Sequence, residues 1–216
     1  MCARRDNSPI TLLALLFSAD LVFILVHVVY LHGWLWNPLF SIEMDRGYAE
    51  VYQYIKEYWI VLLLFILAIK TKQGIYLAWS ALFMYLLLDD SLEIHEKLGE
   101  YLAGYFDFQP GLNLHAHDFG ELAVSILFGS ILFLTVGFAY VHCKRVQKKV
   151  SRRLFILVLL LAFFGVVVDM LHVALPWRES VLGIIEDGGE MLIMSIIVSY
   201  VFYLEPEAET LPVHNN

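Results

Sequence analysis

Residues 154–175 read LFILVLLLAFFGVVVDMLHVAL, 22 residues in which only Asp169 and His172 are polar. A helix of about 20 apolar residues, rising ~1.5 Å per residue, spans the hydrocarbon core of a bilayer. The stretch therefore predicts a transmembrane helix. Five more stretches of similar length and character accompany it, at residues 10–31, 51–69, 75–94, 120–141 and 181–204. Together they predict an all-α, polytopic transmembrane bundle of six spans, forming one domain over residues 1–216. The composition agrees, with 60% hydrophobic and 17% charged residues and a mean hydropathy of +0.69. Soluble domains are nearer roughly 45–50% and 25%. The first stretch carries Asp20 and His27 and lacks a small-x-small cleavage site, so it reads as a span and not as a signal peptide. Segments of this length also exclude an outer-membrane barrel.

The charges orient the bundle. Arg4 and Arg5 precede the first span, Lys70 and Lys72 follow the second, and Lys144, Arg145, Lys148, Lys149, Arg152 and Arg153 follow the fourth. Ten of 14 bases thus lie on one side, which the positive-inside rule makes cytoplasmic, with both termini inside. The opposite side holds Arg46, Lys56, Lys97 and Arg178. Trp34, Trp36, Trp59 and Trp177 fall near that outer interface, as an aromatic belt does. The tail after Leu204 is short and acidic and is expected to be mobile. A cell membrane, in bacteria the inner membrane, is the expected location, and the lipid bilayer the first partner. The formal charge of −8 argues against nucleic acid, whose phosphates need a basic face. Cys2 and Cys143 are too few for a disulfide framework.

Function has to be sought in the polar residues inside the spans, which are expensive there and mark sites. The third span ends in Asp89-Asp90-Ser91-Leu92-Glu93-Ile94-His95-Glu96, and the fourth is entered through His115-Ala116-His117-Asp118-Phe119-Gly120-Glu121. The fifth carries Asp169 and His172, the sixth Glu186-Asp187-Gly188-Gly189-Glu190. With the topology above, all four groups fall in the outer half of the membrane. Asp89 lies roughly 9 Å below the outer face and Glu190 roughly 14 Å, close to the midplane. Helical spacing puts two groups on one stripe in each span: Glu186 or Asp187 with Glu190, His117 or Asp118 with Glu121, and Asp169 with His172. No Lys or Arg is expected at this depth, Lys97 and Arg178 being at the rim. Bound cations, protons or water must then offset the carboxylates.

A divalent metal is the expected occupant, one or two ions of Zn²⁺, Fe²⁺ or Mn²⁺. Its candidate ligands are Asp89, His117, Asp118, Glu121, Asp169, His172, Asp187 and Glu190, with Asp90, His95 and Glu186 as candidate catalytic acids or bases. Bundles hold paired metals with carboxylates and imidazoles projecting inward. The remaining polar groups read more plainly. Glu93, Glu96 and Glu100 are expected in the solvated interface, His115 in a loop, and Asp20 and His27 either behind the metal ligands, supporting them, or in a separate polar contact.

A short repeat links the two halves. His117-Asp118-Phe119-Gly120-Glu121-Leu122 aligns with Glu186-Asp187-Gly188-Gly189-Glu190-Met191, and each opens an inward-running span after an outward span that ends in an acid and a histidine. Spans three–four and five–six thus read as two parallel copies of one hairpin about an axis along the membrane normal. Glu121 and Glu190 would share a site on that axis, with the glycines admitting close helix approach.

The Asp89-Asp90…His95-Glu96, His117-Asp118-x-Gly-Glu121 and Glu186-Asp187-Gly-Gly-Glu190 segments resemble those of a group of small, uncharacterised bacterial integral-membrane proteins. The resemblance covers spans three to six and implies no activity. The ceramidase and progestin-receptor-like membrane hydrolases use a His-x-x-x-His in the last span, which is absent here. No Lys lies inside spans three to six to carry a retinal Schiff base, and no His-Glu-x-x-His, nucleophile-elbow or phosphate-loop motif occurs. The expectation is a metal-dependent membrane enzyme acting on a lipid-like or hydrophobic small molecule. A divalent-cation or proton transporter, or a structural membrane subunit, are the alternatives.

Overall fold

The computed structural model describes residues 8–111, 114–175 and 179–209. Arg4, Arg5, Trp177 and Arg178 lie outside the described residues. The fold is all helical; among the described residues the only β-type pairing is an isolated bridge between Gly111 and Leu114. Every apolar stretch is helical: α1 Ser8–Leu31, α2 Tyr48–Thr71, α3 Gly74–Leu92, α5 Ala116–His142, α6 Arg145–Ala162 and α8 Glu179–Glu209. Between them lie a 3₁₀ turn at Pro38–Phe40 and two short helices, α4 Ile94–Tyr105 and α7 Asp169–Ala174. Four helical segments are long and apolar enough to cross a membrane: Ile10–Leu31, Gly74–Leu92, Ala116–His142 and Arg145–Ala174.

Three boundaries differ from the sequence reading. The third stretch stops at Leu92 because Glu93 adopts a left-handed conformation (φ 54°), and Ile94 already belongs to α4. Arg46 and Lys97 both pair with the Glu93 carboxylate, at 2.5 and 3.1 Å, and tie down this break. The basic link after the fourth stretch is not a loop: Arg145 onward forms the first turns of α6. The acidic tail continues α8 as helix to Glu209.

The packing order explains which charges are inside. α8 lies centrally, against α1, α2, α6 and α7, while α3 packs on α2 and α5, and α4 on α5. α5 and α6 touch little. One apolar core runs through the bundle, with Leu64, Trp79, Phe83, Leu154 and Ile197 fully buried. Trp79 satisfies its indole N–H on Ser151 Oγ at 2.9 Å. The outward faces are apolar too: Leu15 and Leu25 on α1, Leu134 and Phe138 on α5, and Ile156 and Leu160 on α6 are all exposed. Contiguous exposed apolar faces of this kind fit a hydrocarbon surrounding, not water. Trp34 and Trp36 are exposed just beyond the end of α1.

One close helix crossing is made by glycine. Gly99 of α4 and Gly120 of α5 face each other, and a Cβ on Gly120 would run into the Gly99 backbone carbonyl. Backbone cannot retreat as a flexible side chain can. Gly120→Ala is therefore expected to cost about 1–3 kcal/mol. Gly137→Ala on the same helix, with nothing within 4 Å, should cost nothing. Thermal unfolding of the two variants in one detergent checks this, and equal midpoints would remove the crossing as a constraint.

Candidate functional site

The polar residues of α2, α3, α4, α5, α7 and α8 meet at a cavity of about 240 Å³. Glu57, Asp89, Asp90, His95, Asp118, Glu121, Asp169 and Glu190 line it, and its remaining wall is largely apolar, including Leu82, Leu132, Phe133, Val158, Leu161 and Met194. The cavity thus collects seven carboxyl groups and one imidazole above a hydrocarbon-lined end.

Each acid arrives by a local device. Asp89 sits in the last turn of α3, and after the Glu93 break its carboxylate caps the start of α4. Oδ1 accepts the His95 backbone N–H at 2.9 Å and Oδ2 meets His95 Nδ1 at 3.1 Å. Asp89 so fixes the imidazole, and Nε2 is the ring nitrogen left to act. That hydrogen bond pushes His95 up to about 9, so the ring carries a proton at neutral pH. A raised pKa means that the contribution to stability is full below the ordinary histidine value near 6.5 and is lost as pH rises through about 9. The pH profile of unfolding should accordingly fall across that window in the wild type and flatten there in Asp89→Asn. An unchanged slope in the variant would break the assignment.

Asp118 does the same for α5. Its Oδ2 accepts the His115 backbone N–H at 2.7 Å, which makes His115 the N-terminal cap of the helix and not simple loop. Asp118 also lies 3.1 Å from His117 Nε2 and 3.5 Å from His115 Nδ1, and the two imidazoles stack with centroids 5.1 Å apart. His115, His117 and Asp118 bring one potential ligand atom each within 4.8 Å of one another, which is a spacing a metal ion can bridge. Both histidines are exposed while Asp118 is buried and lines the cavity, so the trio adjoins the cavity at Asp118, on the side taken as its mouth.

Asp169 depends on a change of helix type. Phe163–Val168 is π-helical, and the widened turn connects α6 to α7 with Gly165, Val166 and Asp169 all on the cavity. π-segments inside α-helices recur at functional sites. Gly165 leaves room for the Glu190 carboxylate, which a Cβ there would displace. Glu121 is seated in the same manner, against Gly99.

The other sequence candidates lie elsewhere. His172 and Glu186 pair with each other at 2.7 Å, joining α7 to α8, and neither lines the cavity. Asp187 is also off it, near Glu186 and Glu43. Glu43 lies 3.8 Å from Nε2 of His27, whose Nδ1 accepts the Ile42 N–H. His27 thus makes a separate contact, the second of the two places expected for it.

Two features were not foreseen. Gln53 and Glu57 bring α2 into the cavity wall. The signal was present, since Gln53, Glu57 and Leu64 recur on one helical stripe and all are buried. The other concerns neutralisation. Lys56 is not an outer-surface base: it is fully buried, with Nζ 3.1 Å from Asp20 Oδ1, 2.8 Å from the Met191 carbonyl and 3.4 Å from Ser195 Oγ. The acidic layer therefore does have a lysine beside it, contrary to the sequence reading. Its hydrogen bonds go to α1 and α8, and it acts on Glu57 and Glu190 through its charge alone.

Comparison with curated proteins finds no match, and comparison with solved structures finds none either. A family match does cover most of the sequence, from α1 to the end of the sixth apolar stretch, and takes in every residue of the cavity. By that match over residues 16–204, the chain belongs to the family described as Domain of unknown function (DUF8692).

Proposed function

We infer that the protein is a six-span membrane protein of the bacterial inner membrane, with both ends cytoplasmic, acting as a metal-dependent enzyme on a lipid-like or hydrophobic small molecule. The observation that carries this reading is the cavity, in which seven carboxyl groups and His95 meet an apolar wall within the helical bundle. Four membrane-length apolar helices, exposed apolar faces and the one-sided distribution of bases support the topology. The parallel-hairpin reading is supported by the two glutamates, Glu121 and Glu190, each seated on a glycine of the preceding arm.

The residues suit a divalent ion. His115, His117 and Asp118 at the mouth offer the mixed nitrogen and oxygen set that Zn²⁺, Fe²⁺ or Mn²⁺ takes, with Glu121 on the wall behind them. A bound ion of this kind supplies Lewis acidity and lowers the pKa of water. His95, held by Asp89 and protonated at neutral pH, is placed to donate a proton into the cavity. Asp90, on the same wall, is placed to accept one. The hydrocarbon-lined end suits an acyl or prenyl chain, with the reacting group among the acids. The same apolar end disfavours a transporter, because among the described residues that line the cavity its wall beyond the acids is largely apolar.

Metal analysis of protein purified without chelator tests the reading. Stoichiometric Zn, Fe or Mn is expected, with a loss of one ion per chain in His117→Ala. Wild-type protein free of any divalent metal after such purification would overturn it.

A further inference from the structure

We propose that the α2 side of the cavity is a second, chemically distinct site, in which Gln53, Glu57, Asp90 and Glu190 hold a hard divalent cation, Mg²⁺ or Mn²⁺, through oxygen alone. This deepens the metal-dependent reading above and rests on it, adding a site and two residues of α2 that the sequence did not single out.

Gln53 and Glu57 lie one turn apart on α2, are 7% and 1% exposed, and both line the cavity. Gln53 Oε1 and Glu57 Oε2 are buried acceptors with no hydrogen-bond donor among the described residues. Buried acceptors are normally satisfied, and each exception calls for a reason. Across from them, the carboxyls of Glu57 and Asp90 come within hydrogen-bonding reach of each other, and Glu190 lies close to both helices' acids. Ionised carboxylates repel at such separations, so a cation or a shared proton has to lie between them. Lys56 acts on Glu57 and Glu190 through its charge, but its hydrogen bonds go to Asp20, Met191 and Ser195, so one ammonium does not bridge these oxygens. A cation satisfies the orphaned oxygens and the crowded carboxylates together; a single proton leaves Gln53 Oε1 without a partner.

The donor set names the class of ion. All four residues present oxygen, from carboxylates and a side-chain carbonyl, and hard cations such as Mg²⁺ and Mn²⁺ prefer such ligands. The mouth differs, with two imidazoles beside Asp118. Gly165 contributes by absence: the cavity wall opposite Glu190 has no side chain to displace that carboxylate.

Mn²⁺ binding to the chelator-stripped full-length protein in lipid nanodiscs, read by loss of the free-ion electron paramagnetic resonance signal, tests the site. The wild type is expected to bind Mn²⁺ competitively with Mg²⁺. Affinity should fall at least tenfold in Glu57→Gln and in Gln53→Met, stay within twofold in Gly137→Ala, which has nothing within 4 Å and lies off the cavity, and be partly kept in Glu57→Asp. The aspartate variant guards against reading a folding defect as lost binding. Wild-type affinity in both the Glu57→Gln and Gln53→Met proteins would overturn this proposal and leave the mouth site standing. Loss of Mn²⁺ only in His117→Ala would do the same. A wild type that binds no divalent metal at all would overturn the metal-dependent reading as well.

Discussion

Lys56→Met is expected to cost about 3–5 kcal/mol of folding stability, because it leaves a buried carboxylate without its counter-charge. Lys56 and Asp20 are both 0% exposed, with 3.1 Å between Nζ and Oδ1. Ser195 completes the cluster by donating its hydroxyl to Asp20 Oδ2 at 2.6 Å, and the Met191 carbonyl takes another lysine hydrogen at 2.8 Å. These bonds connect α1, α2 and α8 at one point. Methionine keeps the length and apolar stem of lysine, so the packing term changes little and the loss reports the charge. The double variant Lys56→Met, Asp20→Asn should regain most of the stability, since removing both partners of a buried pair is often neutral. Equilibrium unfolding in mixed micelles measures both. A single variant as stable as the wild type would mean that the ion pair does not hold α1 to the bundle.

The same cluster shows where the sequence stops being legible. Six apolar stretches specify six long helical segments without ambiguity, because nothing else satisfies the backbone of so many consecutive apolar residues in a membrane. The acids Asp89, Asp90, Asp118, Glu121, Asp169 and Glu190, with His95, could be assigned to one site from their shared depth, and the structure puts all of them on one cavity. Depth gives only one coordinate, however. It does not give the angle about the helix axis, and this is what separates Asp169 on the cavity from His172, which turns to Glu186. The π-segment at Phe163–Val168 makes the angle harder still, because it breaks the 3.6-residue phase just ahead of Asp169. Lys56 was misplaced for a related reason. A lysine near the outer end of a span is expected to snorkel, and only the packing of α2 between α3 and α8 shows that it cannot. Asp89 had two roles that spacing cannot distinguish, a wall of the cavity and the cap of α4.

Glu121→Gln and Glu190→Gln should each remove about one metal ion per chain, and the double variant should remove both. The repeat in the sequence suggests a different result. Two glutamates sharing one ion on a pseudo-twofold axis would be non-additive, with the double variant losing no more than the worse single one. The structure favours separate duties. Glu121 interacts electrostatically with His95, His117, Asp118 and Glu96, two of them members of the imidazole trio. Glu190 has Asp90, Asp187, Glu186 and Asp169 instead, and Glu57 is affected by it in turn. The two stretches that the sequence repeat aligns also differ in what precedes them, α4 before Glu121 and the π-segment before Glu190, so the two carboxylates need not serve one ion. Each glutamine keeps the size of the side chain it replaces and deletes one buried charge, so the metal-free protein should be unchanged or more stable. Metal content, counted by element, separates the cases: loss at Glu121→Gln should fall on the ion bound at the imidazoles, and loss at Glu190→Gln on the oxygen-bound one. A double variant that retains as much metal as either single one would return both glutamates to a common ion and restore the symmetric centre.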